Sequence, residues 1–427
     1  MQKPNDGLPA GMTMPSEHPD RASIYDELHA RATEPMEAQV RIRRATYLSG
    51  SDANVFNHAV SGFLTWAGMA GRPDLRLYSF IRQSRRITLE RHNEFLTLTW
   101  ESSLDDWTAW PTDIGLEHLA GLLLVSATRL DVTDTMTISE GARSGFNAKS
   151  LSYSGVYDGQ AEIATDFIRD DNGFTRYELA TGRCGALRRG VIVRRVLEIE
   201  TYSSLVLLGL PMARSVSLHV RAEEHELASI MAFPHQSSPI QDNRETLGRL
   251  HALANEVNNQ IGQTEFRFAA SQAYGDVLKT RLVRLQEKAI GEFTTIDRYL
   301  SNRIEPAIAT CRATEKRLGT LAIKIQRATE LLNAHISLDL QTQNQAILDT
   351  ISHTSNRQYR LQETVEGLSI VAISYYALAI LGYVLDGMSH IIHIDKGIGL
   401  LIAAPIIIFF VWLGMWRLKR KHKLSAH

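Results

Sequence analysis

Apolar and polar positions divide the chain into stretches of different period. Near its end two apolar runs, Gly367–Leu385 (GLSIVAISYYALAILGYVL) and Ile398–Trp416 (IGLLIAAPIIIFFVWLGMW), contain no charged residue. Each is about as long as a helix must be to cross roughly 30 Å of hydrocarbon at 1.5 Å per residue. They predict a transmembrane hairpin of helices 367–385 and 398–416, an outer loop 386–397 and a basic tail 417–427. The tail carries Arg417, Lys419, Arg420, Lys421 and Lys423, whereas the loop has Lys396 as its fixed positive charge. Positive charge stays on the cytoplasmic side, so a multi-pass inner (plasma) membrane protein with both termini cytoplasmic is expected. The first residues show no basic segment followed by an apolar run, so no signal peptide is expected.

Residues 1–19, rich in Pro, Gly, Met and Asp, are expected to be disordered. Residues 20–231 read as a cytoplasmic α/β domain. Ile24–Arg31 predicts a short helix ending before Pro35, and Glu37–Tyr47 a strand with Val40 and Ile42 on one face and Arg41 and Arg43 on the other. Asn54–Ala67 predicts an amphipathic helix. Leu75–Ile81 and Ile87–Glu101 predict strands, the second rich in β-branched and aromatic residues. A short helix near Ile114–Ala120, a buried strand over Leu122–Asp131 whose apolar first half also suits a helix, and two or three strands over 149–180 follow, with turns at Asp158-Gly159 and Asn172-Gly173. From Gly185 to Met231 the period becomes helical, with Val191, Val196, Leu197, Ile199 and Tyr202 on the apolar face. Pro211 is expected to break that helix after LVLLGL, a run too short to cross a bilayer.

Residues 240–366 predict a long-helix coiled bundle or stalk. Asp242 and Glu245 suit a capping box. Leu247, Leu250, Ala254, Val257 and Ile261 step by three and four, as do Leu278, Leu282, Leu285 and Ala289. Glu305-Pro306 is expected to interrupt the helix, and a second break is expected at His335–Leu338. A third helix from about Leu340 then continues into the first apolar run. The polar face from Gln341 to Gln362 reads either as a solvated surface or as the lining of a symmetric bundle. The fold class is therefore an α+β membrane protein: α/β domain, helical stalk, two-helix hairpin.

Across 427 residues, 46 Lys+Arg against 47 Asp+Glu leave no global field for nucleic acid. Cys184 and Cys311 stand far apart and form no CxxC, so neither a disulfide framework nor a zinc site follows. No P-loop, GxGxxG, HExxH or GxSxG occurs, which disfavours an enzyme and implies no cofactor.

Candidate chemistry gathers in a few clusters. DELHAR (Asp26, Glu27, His29, Arg31) and ERHNEF (Glu90, Arg91, His92, Glu94) could each make an acid/base site, an anion pocket or a structural ion-pair network. In LEIETY, Glu198 and Tyr202 share a helix face, and Glu198 is expected to pair with Arg194 or Arg195. Asp386, His390, His393 and Asp395 in the outer loop are weak candidates for a metal. Small residues in the first apolar run allow close helix approach, while Ser374, Tyr375, Tyr376 and Tyr383 bring polar groups into it.

ELHAR, RHNEF, LEIETY and QETVEGLSIVAISYYALAILGY (362–383) resemble one uncharacterised family of bacterial membrane-anchored proteins, a domain of unknown function. Where that family has Pro after L-H-A-R, this chain has Ala32 and Thr33. The layout also resembles the two-helix magnesium transporters of the CorA type, homopentamers whose first membrane helix continues a stalk and lines the pore. Their Gly-Met-Asn signature is incomplete here, reading Gly387-Met388-Ser389. The resemblance implies a homo-oligomer in the lipid bilayer that moves or senses a divalent cation through Ser374, Tyr375, Tyr383, Asp386, Gly387 and Met388, with Gln341 and Asn344 in the stalk. The alternative is a membrane-anchored scaffold or ligand- and partner-binding protein with no transport activity, using His29, Arg31, Arg91, His92, Glu94 and Glu198.

Overall fold

A computed structural model describes residues 17–21, 24–25, 34–50, 53–70, 76–232, 240–388 and 396–424. The chain forms two compact units, Met1–Phe233 with Gly248–Ala328, and Pro234–Leu247 with Thr329–His427. Residues 248–328 thus fall in the first unit, and 240–247 and 329–366 in the second.

The first unit is built on a nine-stranded sheet of order β2-β3-β4-β1-β5-β8-β7-β6-β9. Its strands are β1 (Val40–Leu48), β2 (Leu77–Arg82), β3 (Arg85–Arg91), β4 (Phe95–Ser103), β5 (Leu123–Thr133), β6 (Ser152–Val156), β7 (Ala161–Arg169), β8 (Thr175–Ala180) and β9 (Lys288–Ala289). Neighbours are antiparallel except β5 and β8, which are parallel. Ile87–Glu101, expected as one strand, is a hairpin. The His92 N–H donates to the Phe95 carbonyl at 2.8 Å, and polar His92-Asn93-Glu94 turns the chain. Asn172-Gly173 turns the chain as expected, with Gly173 at φ +87°, a region glycine enters without a Cβ clash.

The apolar face of the sheet changes sides at β1. On β3 and β4 the residues Ile87, Leu89, Leu96, Leu98 and Trp100 pack against helix α1 (Ala53–Trp66) through Phe56, Val60 and Phe63. On β5, β7 and β8 it is the opposite face that is apolar, through Leu130, Val132, Ile163, Tyr177 and Leu179. That face is covered by three helices. After the one-turn α2 (Glu140–Arg143), these are α3 (Ala186–Leu207), then, past α4 (Gly209–Met231), α5 (Ile240–Leu285) and the start of α6 (Ile296–Met388). Ile192, Val196, Leu278, Leu282, Leu300 and Ile304 supply the contact. Each such side chain contributes about 1.5–3 kcal/mol on burial, so the sheet holds the long helices.

Three helix boundaries differ from the sequence expectation. Pro306 lies inside α6. It sits on the exposed side, while Ile304, Ala307 and Cys311 are buried around it, so packing outweighs the one missing donor. No break occurs at His335–Leu338, where neither Gly nor Pro interrupts the helix. The real interruption is Gln286–Thr295. There the Glu287 carboxylate accepts from the N–H groups of Ile296 (3.0 Å) and Asp297 (2.8 Å) and from the Ser154 hydroxyl (2.5 Å), which caps α6 and ties it to β6. The interruption near Pro211 falls at Leu208, and Pro211 occupies the first turn of α4, where a missing N–H costs nothing.

Among the described residues, three helical stretches are long and apolar enough to cross a membrane: Ala186–Met231, Ile296–Gly387 and Leu400–Arg417. The apolar window of the first is 56% buried within the fold, against 11% and 0% for the other two. The first is therefore core. In the second unit, α6 runs to Met388 and α7 covers Lys396–Leu424. Gly382 of α6 lies beside Leu400 of α7, a Cβ there meeting Leu400 Cδ1 at 3.9 Å. Asp386, Gly387 and Met388, expected in the outer loop, are the last turn of α6.

Gly209 marks a tight helix crossing in the first unit. A Cβ there would come within 2.5 Å of Ser271 Oγ on α5 and 3.0 Å of Cys311 Sγ on α6. Overpacking of this kind costs about 1–3 kcal/mol. Gly209→Ala is expected to lower the thermal unfolding midpoint by several degrees. An unchanged midpoint would mean that the three helices do not meet at Gly209.

Candidate functional site

Because the apolar face switches at β1, the half-sheet β2-β3-β4-β1 turns its polar face toward α3. Between them lies a cleft of about 410 Å³. Its floor is Ile42 and Arg44 of β1, Ser79 of β2, Arg86, Thr88 and Glu90 of β3, and Thr99 and Glu101 of β4. Val193, Arg194 and Leu197 of α3 form the roof, and Glu34–Glu37 closes one side.

Arg44 lines the cleft. Its Nε donates to Thr99 Oγ1 at 2.9 Å. Burial lowers its pKa, opposed by the nearby carboxylates Glu90 and Glu198 and reinforced by Arg194. The other two cleft arginines have carboxylate partners. Arg86 pairs with Glu34 and stands 3.9 Å from Glu101, and Arg194 pairs with Glu198 at 2.9 Å. Burial pushes the Glu101 carboxyl up, against the pull of Arg86. Glu198 also receives Arg281 of α5 at 2.6 Å.

The β3–β4 turn joins this network. His92 lies 3.6 Å from Glu90 and stacks on Phe95, with centroids 4.0 Å apart. Phe95 meets Tyr202 of α3 and Tyr274 of α5 edge-on. Glu94 is buried and takes Arg267 of α5 at 2.9 Å. Burial and then the hydrogen bond to Glu94 raise the Tyr274 pKa. RHNEF and LEIETY are thus brought together by Phe95, Tyr202 and the Arg44–Glu90–Glu198 group. Arg91 departs from them: it leaves for α1, with Nη2 3.0 Å from Asn57 Oδ1 and the guanidinium over Phe56.

His29 and Arg31 lie outside the described residues, as do His390, His393 and Asp395. Among the described residues no group of three or more His, Cys, Asp or Glu is placed to hold a metal. Ser374 is 5% exposed, with no hydrogen-bond partner for its hydroxyl among the described residues, whereas Tyr383 is 79% exposed. Ser374 therefore does not share a face with Tyr375 and Tyr383, both of which point outward. Asp386, Gly387, Gln341 and Asn344 lie on exposed helix surface, and Met388 is its last residue.

The opposite face of the sheet carries a second network, on residues that sequence reasoning had placed merely on a strand face. Arg43, Arg129 and Arg176 align across β1, β5 and β8, and Arg41, Asp131 and Glu178 align beside them. Arg41 makes a bidentate pair with Asp131 at 2.6 and 2.9 Å, under the ring of Trp107. Arg43 is 2% exposed and donates to Ser102 Oγ (3.1 Å) and the Asp106 carbonyl (2.9 Å). Burial, then repulsion from Arg41, lower its pKa to about 10. The available signal was Arg41-Ile-Arg43-Arg44, three arginines in a predicted strand, because alternation must bury some of them.

Asp106 anchors this side through Arg85 at 2.9 Å. Burial pushes its carboxyl up, but hydrogen bonds from Arg85 and Thr108 outweigh it and hold the pKa at about 2, below its ordinary 3.8. A depressed carboxyl stabilises the fold above its unfolded pKa, and that stability is lost as pH falls through the folded value. Acid unfolding is therefore expected to lose an Asp106 contribution between about pH 4 and pH 2. Asp106→Asn should flatten the stability–pH curve in that window, and an unaltered curve would remove Asp106 from the account.

Among known proteins, residues 16–422 match a family model described as a protein of unknown function (DUF3422). No curated protein and no solved structure matches the chain.

Proposed function

The chain belongs to that family, DUF3422, and we propose that it is a membrane-anchored, non-catalytic binding protein whose cleft takes a small molecule bearing a carboxylate or phosphate. The observation that carries this reading is Arg44. It is a half-buried guanidinium inside a cleft of about 410 Å³, hydrogen-bonded to a neutral hydroxyl with Glu90 and Glu198 nearby, while Arg86 and Arg194 pair directly with carboxylates. An anionic group offers two acceptor oxygens that a guanidinium fork matches. The walls are half apolar, through Val40, Ile42, Leu77, Val193 and Leu197, which suits a ligand with a short hydrocarbon body.

Membrane anchoring is supported by two apolar windows of mean hydropathy 2.0, almost none of whose surface the fold covers. The basic tail after Trp416 favours cytoplasmic termini at the inner membrane. Transport of a cation is the second reading, favoured by the exposed Tyr375, Tyr376 and Tyr383 on the first run. The inward turn of Ser374 and the apolar exposed side of α7 weigh against a continuous polar lining.

The test is thermal shift of the full chain in detergent against acetate, succinate, citrate and inorganic phosphate. At least one is expected to raise the midpoint by about 2 °C or more, since binding to the native state alone adds RT ln(1 + [L]/Kd). Arg44→Gln should abolish that rise and Arg44→Lys weaken it. If no anion shifts the wild type, or Arg44→Gln responds equally, the cleft reading falls. Cation flux into liposomes would then test the second.

A further inference from the structure

Between Ser337 and Leu368, within the second unit, α6 is a regular helix exposed on all sides. Large apolar side chains exposed there are Leu338, Leu348 and Tyr359 and a set of six, Leu340, Ile347, Ile351, Leu361, Val365 and Leu368, exposed by between 41% (Leu340) and 72% (Leu368). Their spacing of 7, 4, 10, 4 and 3 falls in one heptad frame. Ile351 and Val365 take a positions, and Leu340, Ile347, Leu361 and Leu368 take d positions. Asn344 and Gln358 fill the other a positions after Ser337, and Thr354 fills the remaining d.

The charges obey the same frame. Asp339, Asp349, His353, Arg360, Glu363 and Glu366 all fall at b, c or f, the columns farthest from an a/d seam. Of the a, d, e and g columns, Arg357 alone is charged between 337 and 368. A helix merely solvated on all sides has no reason to clear charge from one stripe and both its flanks.

We propose that this stripe is the seam of a parallel, in-register coiled coil between copies of this chain. The occupant follows from the polar positions. In a parallel pairing each a layer meets the same a layer of the partner, so Asn344 faces Asn344 and Gln358 faces Gln358, each amide offering a donor and an acceptor to its twin. An antiparallel copy overlapping along the whole stripe would set Asn344 against Leu361 and Gln358 against Ile347 and leave the amides unpaired in a dry seam. The uncharged flanks serve an identical partner best, because like charges at e and g would repel their own copies. Gln341 falls on a flank of this seam and Asn344 inside it. The proposal does not depend on what fills the cleft.

Single-cysteine substitutions in the full chain test it. The native Cys184 and Cys311 are buried, so the unsubstituted protein is the silent background. Ile351→Cys and Leu361→Cys lie in the seam, while Asp349→Cys and Glu363→Cys, two residues away, lie on the outside. All four side chains are exposed on the helix, so folding is expected to survive. Under mild oxidation in detergent the seam pair should yield at least about tenfold more two-copy product than the outer pair, since a disulfide needs Cα atoms within about 7 Å. Equal yields at all four positions, a preference for 349 and 363, or no two-copy product would each overturn the proposal.

Discussion

The first unit depends on one constraint: a sheet whose apolar face changes sides in the middle. Helix α1 covers one face of β2-β3-β4, and α3, α5 and α6 cover the other face of β5-β8-β7. Strand β1 stands between the two halves and cannot be apolar on either side throughout. Its answer is arginine: Arg41 and Arg43 toward one face and Arg44 toward the other. The long aliphatic stem packs along apolar neighbours while the guanidinium reaches a carboxylate, hydroxyl or carbonyl. Removing one partner of such a buried network leaves an uncompensated charge, which is why the two clusters beside β1 are sensitive places in the molecule.

The same switch creates the cleft. A half-sheet that shows polar residues to a helix cannot close against it as a dry interface. α3 accordingly meets it with Arg194 between the apolar Val193 and Leu197, and Glu198 holds Arg194 in place. The networks also extend to the long helices. Arg267, Tyr274 and Arg281 of α5 all reach the β3–β4 turn or Glu198. Glu287 then caps α6 from the strand side. The seating of α5 and α6 and the polar surroundings of Arg44 are therefore parts of one arrangement.

Much of this was legible in the chain. The strands of the N-terminal domain follow from alternation and β-branched content, the turns from Asp158-Gly159 and Asn172-Gly173, and α1 from its amphipathic period. The helical character of 186–231 and 240–388 is written in three- and four-residue steps. Spacing along the helix offers Arg194 or Arg195 as the partner of Glu198, and the fold selects Arg194. Such features are local: neighbours within a few residues decide them.

What the tertiary structure decided are the features in which distant residues compete. Pro306 signals a break by its own chemistry, yet buried side chains on both sides of it keep the helix whole. His92-Asn93-Glu94 could have continued a strand, but the pairing of β3 with β4 makes it a turn. Arg44 gives no sign of lining a cleft, because its neighbours Thr99, Glu90 and Glu198 come from two other strands and a helix. Ser374 and Tyr375 are adjacent and look equivalent as polar groups in an apolar run, but one is turned into the fold and the other outward. Periodicity tells which residues share a face; only packing tells what that face meets.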